Sequence, residues 1–225
     1  MKKIIFCLAA TALMTIGCSG KANAYKVSEK EFDAEITNYG FVLNNNAKFE
    51  GIASMPIDDG VAEQTLTMEF DSQGEHKRFK VHQYLEGEGD MDSVGEITVL
   101  ENGNYNLDWY RKSFGDTSYA LVKNEDISLK ELKSFLNEIV YLPSIEYKDL
   151  KFKKDNNSYH CDSYKTEVND HGMTITIVYS NLNIQLKDKK LFALDFSLLV
   201  SGMGSSFQME KTQSSGISIE LPTIE

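Results

Sequence analysis

The 225-residue chain carries a formal net charge of −11, with 34 acidic against 23 basic side chains. That balance argues against nucleic acid as a partner and against electrostatic docking on anionic lipid. A hydrophobic content of 41% with 11% aromatic residues excludes a disordered chain and suffices for one domain with a real core.

The first element is an export segment. Lys2 and Lys3 form a basic start, followed by the uncharged apolar run "IIFCLAATALMTI" (4–16). That run is short for a membrane-crossing helix, which takes ~20 apolar residues. Two cut sites follow. Cleavage before Cys18 would leave a lipidated cysteine. Ile16 and Gly17 suit a lipoprotein signal, Ser19 and Gly20 begin a flexible tether, and Thr15 departs from the usual aliphatic pattern. Cleavage after Ala22-Asn23-Ala24 would instead release a soluble protein beginning at Tyr25. The lipid anchor at Cys18 is the leading expectation, giving a membrane-anchored extracytoplasmic lipoprotein; the secreted or periplasmic form is the alternative. Acyl chains hold such a protein firmly, at ~0.8 kcal/mol per buried CH₂. The chain thus divides into an export segment with tether (1–24) and a single domain (25–225). Lys2, Lys3 and Lys21 are the only charges in the first part, so the domain, three lysines fewer, carries −14.

Cys161 is the one cysteine beyond Cys7 and Cys18, so no internal disulfide can form. It reads as a small strand residue, with its neighbour His160 on the opposite face.

Residues 28–40 ("SEKEFDAEITNYG") predict a helix. Ser28 and Glu31 make a capping box, Phe32, Ile36 and Tyr39 share a face, and Gly40 suits the C-terminal cap. From Ala47 the period changes to two. "QTLTMEF" and "HKRFKVHQYL" flank "DSQGE" as a hairpin. "EGEGDMDSVG" (86–95) reads as a solvated acidic loop whose ligand order matches no EF-hand. Two strands meet at Asn102-Gly103, the preferred pair for a type I′ turn. "TSYALV" (117–122) predicts the next strand. A second helix spans 128–140, capped by Ser128 and Glu131, with Leu129, Leu132, Phe135, Leu136 and Ile139 in one stripe and Pro143 beyond it.

Strands then resume. "YKDLKFKK" and "SYHCDSYKTEV" join at 155–157, and "MTITIVYSNLNIQLK" and "LFALDFSLLVS" join at Asp188-Lys189. Phe192, Leu194, Phe196, Leu198 and Val200 alternate. Apolar positions switch from odd to even near Ser180, which predicts a β-bulge or bend. "SSFQMEK" and "ISIELP" supply the last strands. No βαβ alternation appears. The expected class is α+β: one long curved antiparallel sheet of about ten strands, with two short helices on its concave side.

This order of elements, closing with "SSGISIELP", resembles the LolA-like superfamily, including the LppX and LprG type of bacterial envelope lipoproteins. The resemblance implies a half-barrel whose helices enclose an apolar cavity, and members that carry lipidated cargo or lipids. Alternation makes Tyr105, Leu107, Trp109, Phe192, Leu194 and Phe196 candidates for the cavity lining; the other reading is that they close a tight core. No G-x-S-x-G, H-E-x-x-H, P-loop, C-x-x-C or G-x-G-x-x-G occurs, and His76 and His82 are a same-face pair of the kind long strands carry by chance. The expectation is a non-enzyme without cofactor or metal. Its partners would be the membrane, through Cys18, and a lipid or other hydrophobic ligand. The sequence names no protein partner.

Overall fold

The computed structural model describes residues 26–57, 60–139, 145–170, 173–200 and 203–224. The expected export segment with Cys18, Ala22 and Ala24, and also Pro143, lie outside the described residues.

The strands are β1 (Asn46–Ile57), β2 (Gly60–Asp71), β3 (His76–Leu85), β4 (Gly89–Val99), β5 (Tyr105–Lys112), β6 (Ala120–Ile127), β7 (Lys151–Lys153), β8 (Ser158–Asp170), β9 (Met173–Lys187), β10 (Lys190–Val200) and β11 (Met203–Gln213). All eleven form one antiparallel sheet in the order β6-β5-β4-β3-β2-β1-β11-β10-β9-β8-β7. Only β1 and β11 are neighbours out of sequence. The edges, β6 and β7, do not pair, so the sheet is not closed. Two meanders run in opposite directions from the β1–β11 seam, where Phe49 faces Lys211 and Gly51 faces Met209.

Three short helices lie on one face: α1 (Glu29–Ile36), α2 (Asn38–Asn44) and α3 (Leu129–Ile139). They supply the apolar cover that the inner face needs, at ~25 cal/mol per Å² removed from water. Phe41 of α2 packs on Phe49 and Phe70 with ring centroids 4.9 and 4.7 Å away. Phe135 of α3 meets Phe79 and Trp109. Phe32 of α1 meets Tyr147 and Tyr159. Both capping boxes form: the Ser28 and Ser128 backbone N–H groups donate to Glu31 and Glu131, each at 2.8 Å. The Glu31 carboxyl is held down to about 2, first by its bond from Lys189 and then by Ser28.

Several expectations are corrected. The helix over 28–40 is two helices, because Thr37 is extended (φ −71°, ψ 146°) and its Oγ1 accepts from the Gly40 N–H, starting α2. Gly40 is therefore no C-terminal cap. It lies inside α2, where a Cβ would stand 2.3 Å from the Asp33 carbonyl oxygen, and it lets the two helices meet. The acidic loop shrinks to a short turn, since Asp90 to Gly95 pair with Tyr84 to Phe79; ladder hydrogen bonds outweigh composition. At Asn102-Gly103 the hairpin is present but its turn differs. Only Gly103 has positive φ (81°), and its N–H donates to Leu100 O at 3.0 Å, a type I turn with a glycine bulge. The turn with both residues at positive φ is Asp188-Lys189 (51° and 64°). The strand expected at 117–122 begins at Ala120.

"ISIELP" is not a strand. β11 already has β1 and β10 on its two sides, so the chain leaving it finds no free edge. It crosses the outer face as a strap instead. Ile217 and Ile219 bury against Val94 there. Asn46 clamps Ile217 by donating to its carbonyl (3.0 Å) and accepting from its N–H (3.3 Å), and Arg78 donates to Ile219 O (2.9 Å).

The bulge read near Ser180 is present. Register between β9 and β10 slips between Asp195 and Ser197, and Asn181 takes a left-handed φ of 53°.

Candidate functional site

Two further bulges, absent from the sequence reading, sit side by side at one end of the inner face. On β10, Leu191 pairs Leu186 and Ala193 pairs Gln185, which leaves Phe192 as an extra residue. On β11, Lys211 pairs Phe49 and Gln213 pairs Lys48, which leaves Thr212 extra. An extra residue bends its strand and frees a side chain from the ladder's alternation. Beside these bulges, at the C-terminal end of α2, opens a pocket of about 460 Å³. Ala47 and Leu191, both buried in the main core, lie behind it; its apolar wall is Phe192, and Asn44 to Asn46 line it together with Lys187, Lys190 and Lys211.

The three lysines differ in environment. Lys211 follows Phe207 and Met209 on the inner face and is half-buried, with its ammonium 5.3 Å from the Phe49 ring centroid. Burial pushes its pKa down; Glu35 pulls the other way, and Lys190 adds to the depression. Lys187 is exposed, with its ammonium 5.6 Å from the Phe192 ring centroid. Lys190 pairs with Glu35 Oε1, while Glu35 Oε2 is buried without a hydrogen-bond partner among the described residues. Neither Lys187 nor Lys211 has a carboxylate partner among the described residues. Chemically, the site offers cationic donors beside an apolar surface.

Most of the residues proposed from alternation lie elsewhere. Tyr105, Leu107 and Leu194 are buried in the main core. The Tyr105 hydroxyl meets that of Tyr39 at 2.7 Å, and burial raises the Tyr39 phenol. Trp109 packs edge-on against Phe135 at 5.0 Å. Phe196 stacks between Tyr179 and Phe207. It also borders a smaller hollow of about 260 Å³ at the Asn181 bulge, with Ser54, Asp195 and Gln208. Of the six, Phe192 alone lines the larger pocket, and for a reason opposite to the one given: it has left the alternation, and Leu191 takes the core position.

The outer face carries its own polar chemistry. His82 Nδ1 meets Asp92 Oδ1 at 2.7 Å, and Asp92 Oδ2 accepts from the Tyr119 hydroxyl at 3.0 Å. Burial first, then that bond, raises the Tyr119 phenol. His76 turns to Thr98 and Glu96 instead. Among the described residues no group of three metal-ligating side chains gathers. Cys161 is buried and donates to Ser163 O at 3.3 Å, while His160 bonds Asp162.

No protein-family model matches the chain, and no curated protein matches it. Among solved structures, it is similar to a DUF1329 family protein from Desulfovibrio piger, at 9% identity and a TM-score of 0.35. That likeness covers 85% of this chain and 94% of the other, and no family assignment follows from it.

Proposed function

We propose that the protein is an extracytoplasmic lipoprotein, tied to its membrane through Cys18, that binds a hydrophobic ligand and performs no catalysis. The observation that carries this reading is the larger pocket, which presents the Phe192 ring beside cationic side chains, directly above the buried core residues Leu191 and Ala47. Its volume of about 460 Å³ falls within the ~300–1,000 Å³ common for ligand sites. An open sheet with short helices on one face is also what the LolA-like resemblance implies, and a lipid or acyl chain is the ligand class that resemblance suggests.

A second reading is an interaction or sensory domain of the same fold. It is favoured by the packing of Tyr105, Leu107 and Leu194 into the core. Mass spectrometry of organic extracts from gently purified protein separates the two. The carrier should yield a reproducible lipid at near-stoichiometric amount; an empty extract from folded protein rejects the carrier. For the anchor, Cys18→Ala is expected to move the protein from the membrane fraction to the soluble extracytoplasmic fraction. An unmutated protein already soluble, with Tyr25 as its first residue, would refute lipidation.

A further inference from the structure

The charge at the pocket runs against that of the molecule. In a chain of net −11, three lysines rim one small hollow. The carboxylates facing them are Asp188, at the same rim, and Glu35 on α1, already engaged by Lys190. Lys211 is the informative member. Withdrawing an ammonium from water is costly unless an anion or a set of acceptors replaces the lost hydration. Here the replacements are the face of Phe49 and the more distant field of Glu35. The lysine therefore stands partly desolvated with donors unspent. Next to it the apolar wall is the Phe192 ring, with Leu191 fully buried behind it. A head that supplies negative charge and a tail that covers the Phe192 ring would complete both halves of the site.

We infer that this pocket takes the anionic head of a single-chain amphiphile, a carboxylate or a phosphate monoester, on Lys211 and Lys187, with the first stretch of its chain lying against the Phe192 ring. This rests on the reading above that the pocket is a ligand site. Lys190 is tied to Glu35 and sets the position of that carboxylate, keeping it from pairing fully with Lys211. A cationic or uncharged head would leave Lys211 unpaired.

The test is calorimetric titration of the exported protein with four probes of equal chain length: dodecanoate, dodecyl phosphate, dodecanol and dodecyltrimethylammonium, each below its micelle concentration. At least one anion should bind about tenfold or more tighter than dodecanol, and the cation should be the weakest probe. Which anion is tighter identifies the head as carboxylate or phosphate. Lys211→Met and Lys187→Gln should each weaken the anions several-fold and leave dodecanol unchanged. Lys187 is exposed, so its variant keeps the fold and preserves the test if Lys211→Met does not express. Equal binding of anions and dodecanol, or wild-type anion affinity in both variants, overturns the head-group inference and leaves an apolar site standing. Failure of every chain to bind overturns the ligand site itself.

Discussion

Phe41→Ala is expected to lower the unfolding free energy by about 3–5 kcal/mol, the range for removing a fully buried phenylalanine. A domain of this size has about 5–15 kcal/mol in total, so the variant should stand close to the unfolding threshold. Phe41 is 0% exposed and is the contact by which α2 holds the seam of the sheet. Its ring touches Phe49 on β1 and Phe70 on β2 at once. Those two rings are 6.4 Å apart, so neither closes the space left by the third. The seam is also where the two meanders join, through β1 and β11 alone. Urea titration and thermal melting measure the loss, with a midpoint drop of about 2–4 °C per kcal/mol at this chain length. Val122→Ala on the edge strand β6 is the control. Val122 is 50% exposed, and its truncation should cost no more than about 0.5 kcal/mol. A Phe41 variant as mild as the Val122 variant would mean that α2 does not secure the sheet.

What could be read in the sequence was whatever leaves a local mark. Ser28 with Glu31, and Ser128 with Glu131, are caps made within one helical turn, and both form. The Asn181 bulge changes the parity of the apolar residues along β9, and that change is visible in one strand alone. The Phe192 bulge leaves no such mark. Leu191 and Phe192 are both apolar, so the alternation reads equally well in either phase, and the choice is made by pairing with Leu186 and Gln185. Thr37 is a favoured N-cap type, but threonine also occurs inside helices, so its break shows only once Gly40 packs against the Asp33 carbonyl. "ISIELP" alternates whether it pairs in a sheet or lies across one, and sheet order decides between them. The pocket was the least legible part. Its lysines come from the end of β9, the start of β10 and from β11, and in sequence a lysine is read as solvated surface. Only the pairing of β1 with β11 turns Lys211 inward beside Phe49.

The second large effect is expected at Gly95 on β4. Gly95 faces Phe79 directly across the β3–β4 ladder. A Cβ there would lie 2.3 and 2.4 Å from Phe79 Cζ and Cε1, and 3.1 Å from the Asp108 carbonyl oxygen. The ring covers the glycine as though it were part of its own packing surface. Phe79 cannot swing away, because it is 0% exposed and packs against Phe135 with centroids 6.1 Å apart. Overpacking of this kind costs about 1–3 kcal/mol. Gly95→Ala is placed at the top of that range, since the neighbour that must move is a rigid ring. Phe79→Leu alone loses ring contacts and is also destabilising. The two changes together should be milder than their sum, because leucine vacates the space the new methyl needs. A coupling of about 0.5–3 kcal/mol is expected from the denaturant midpoints of the four proteins in the cycle. Strict additivity would show that the ring does not set the cost at Gly95.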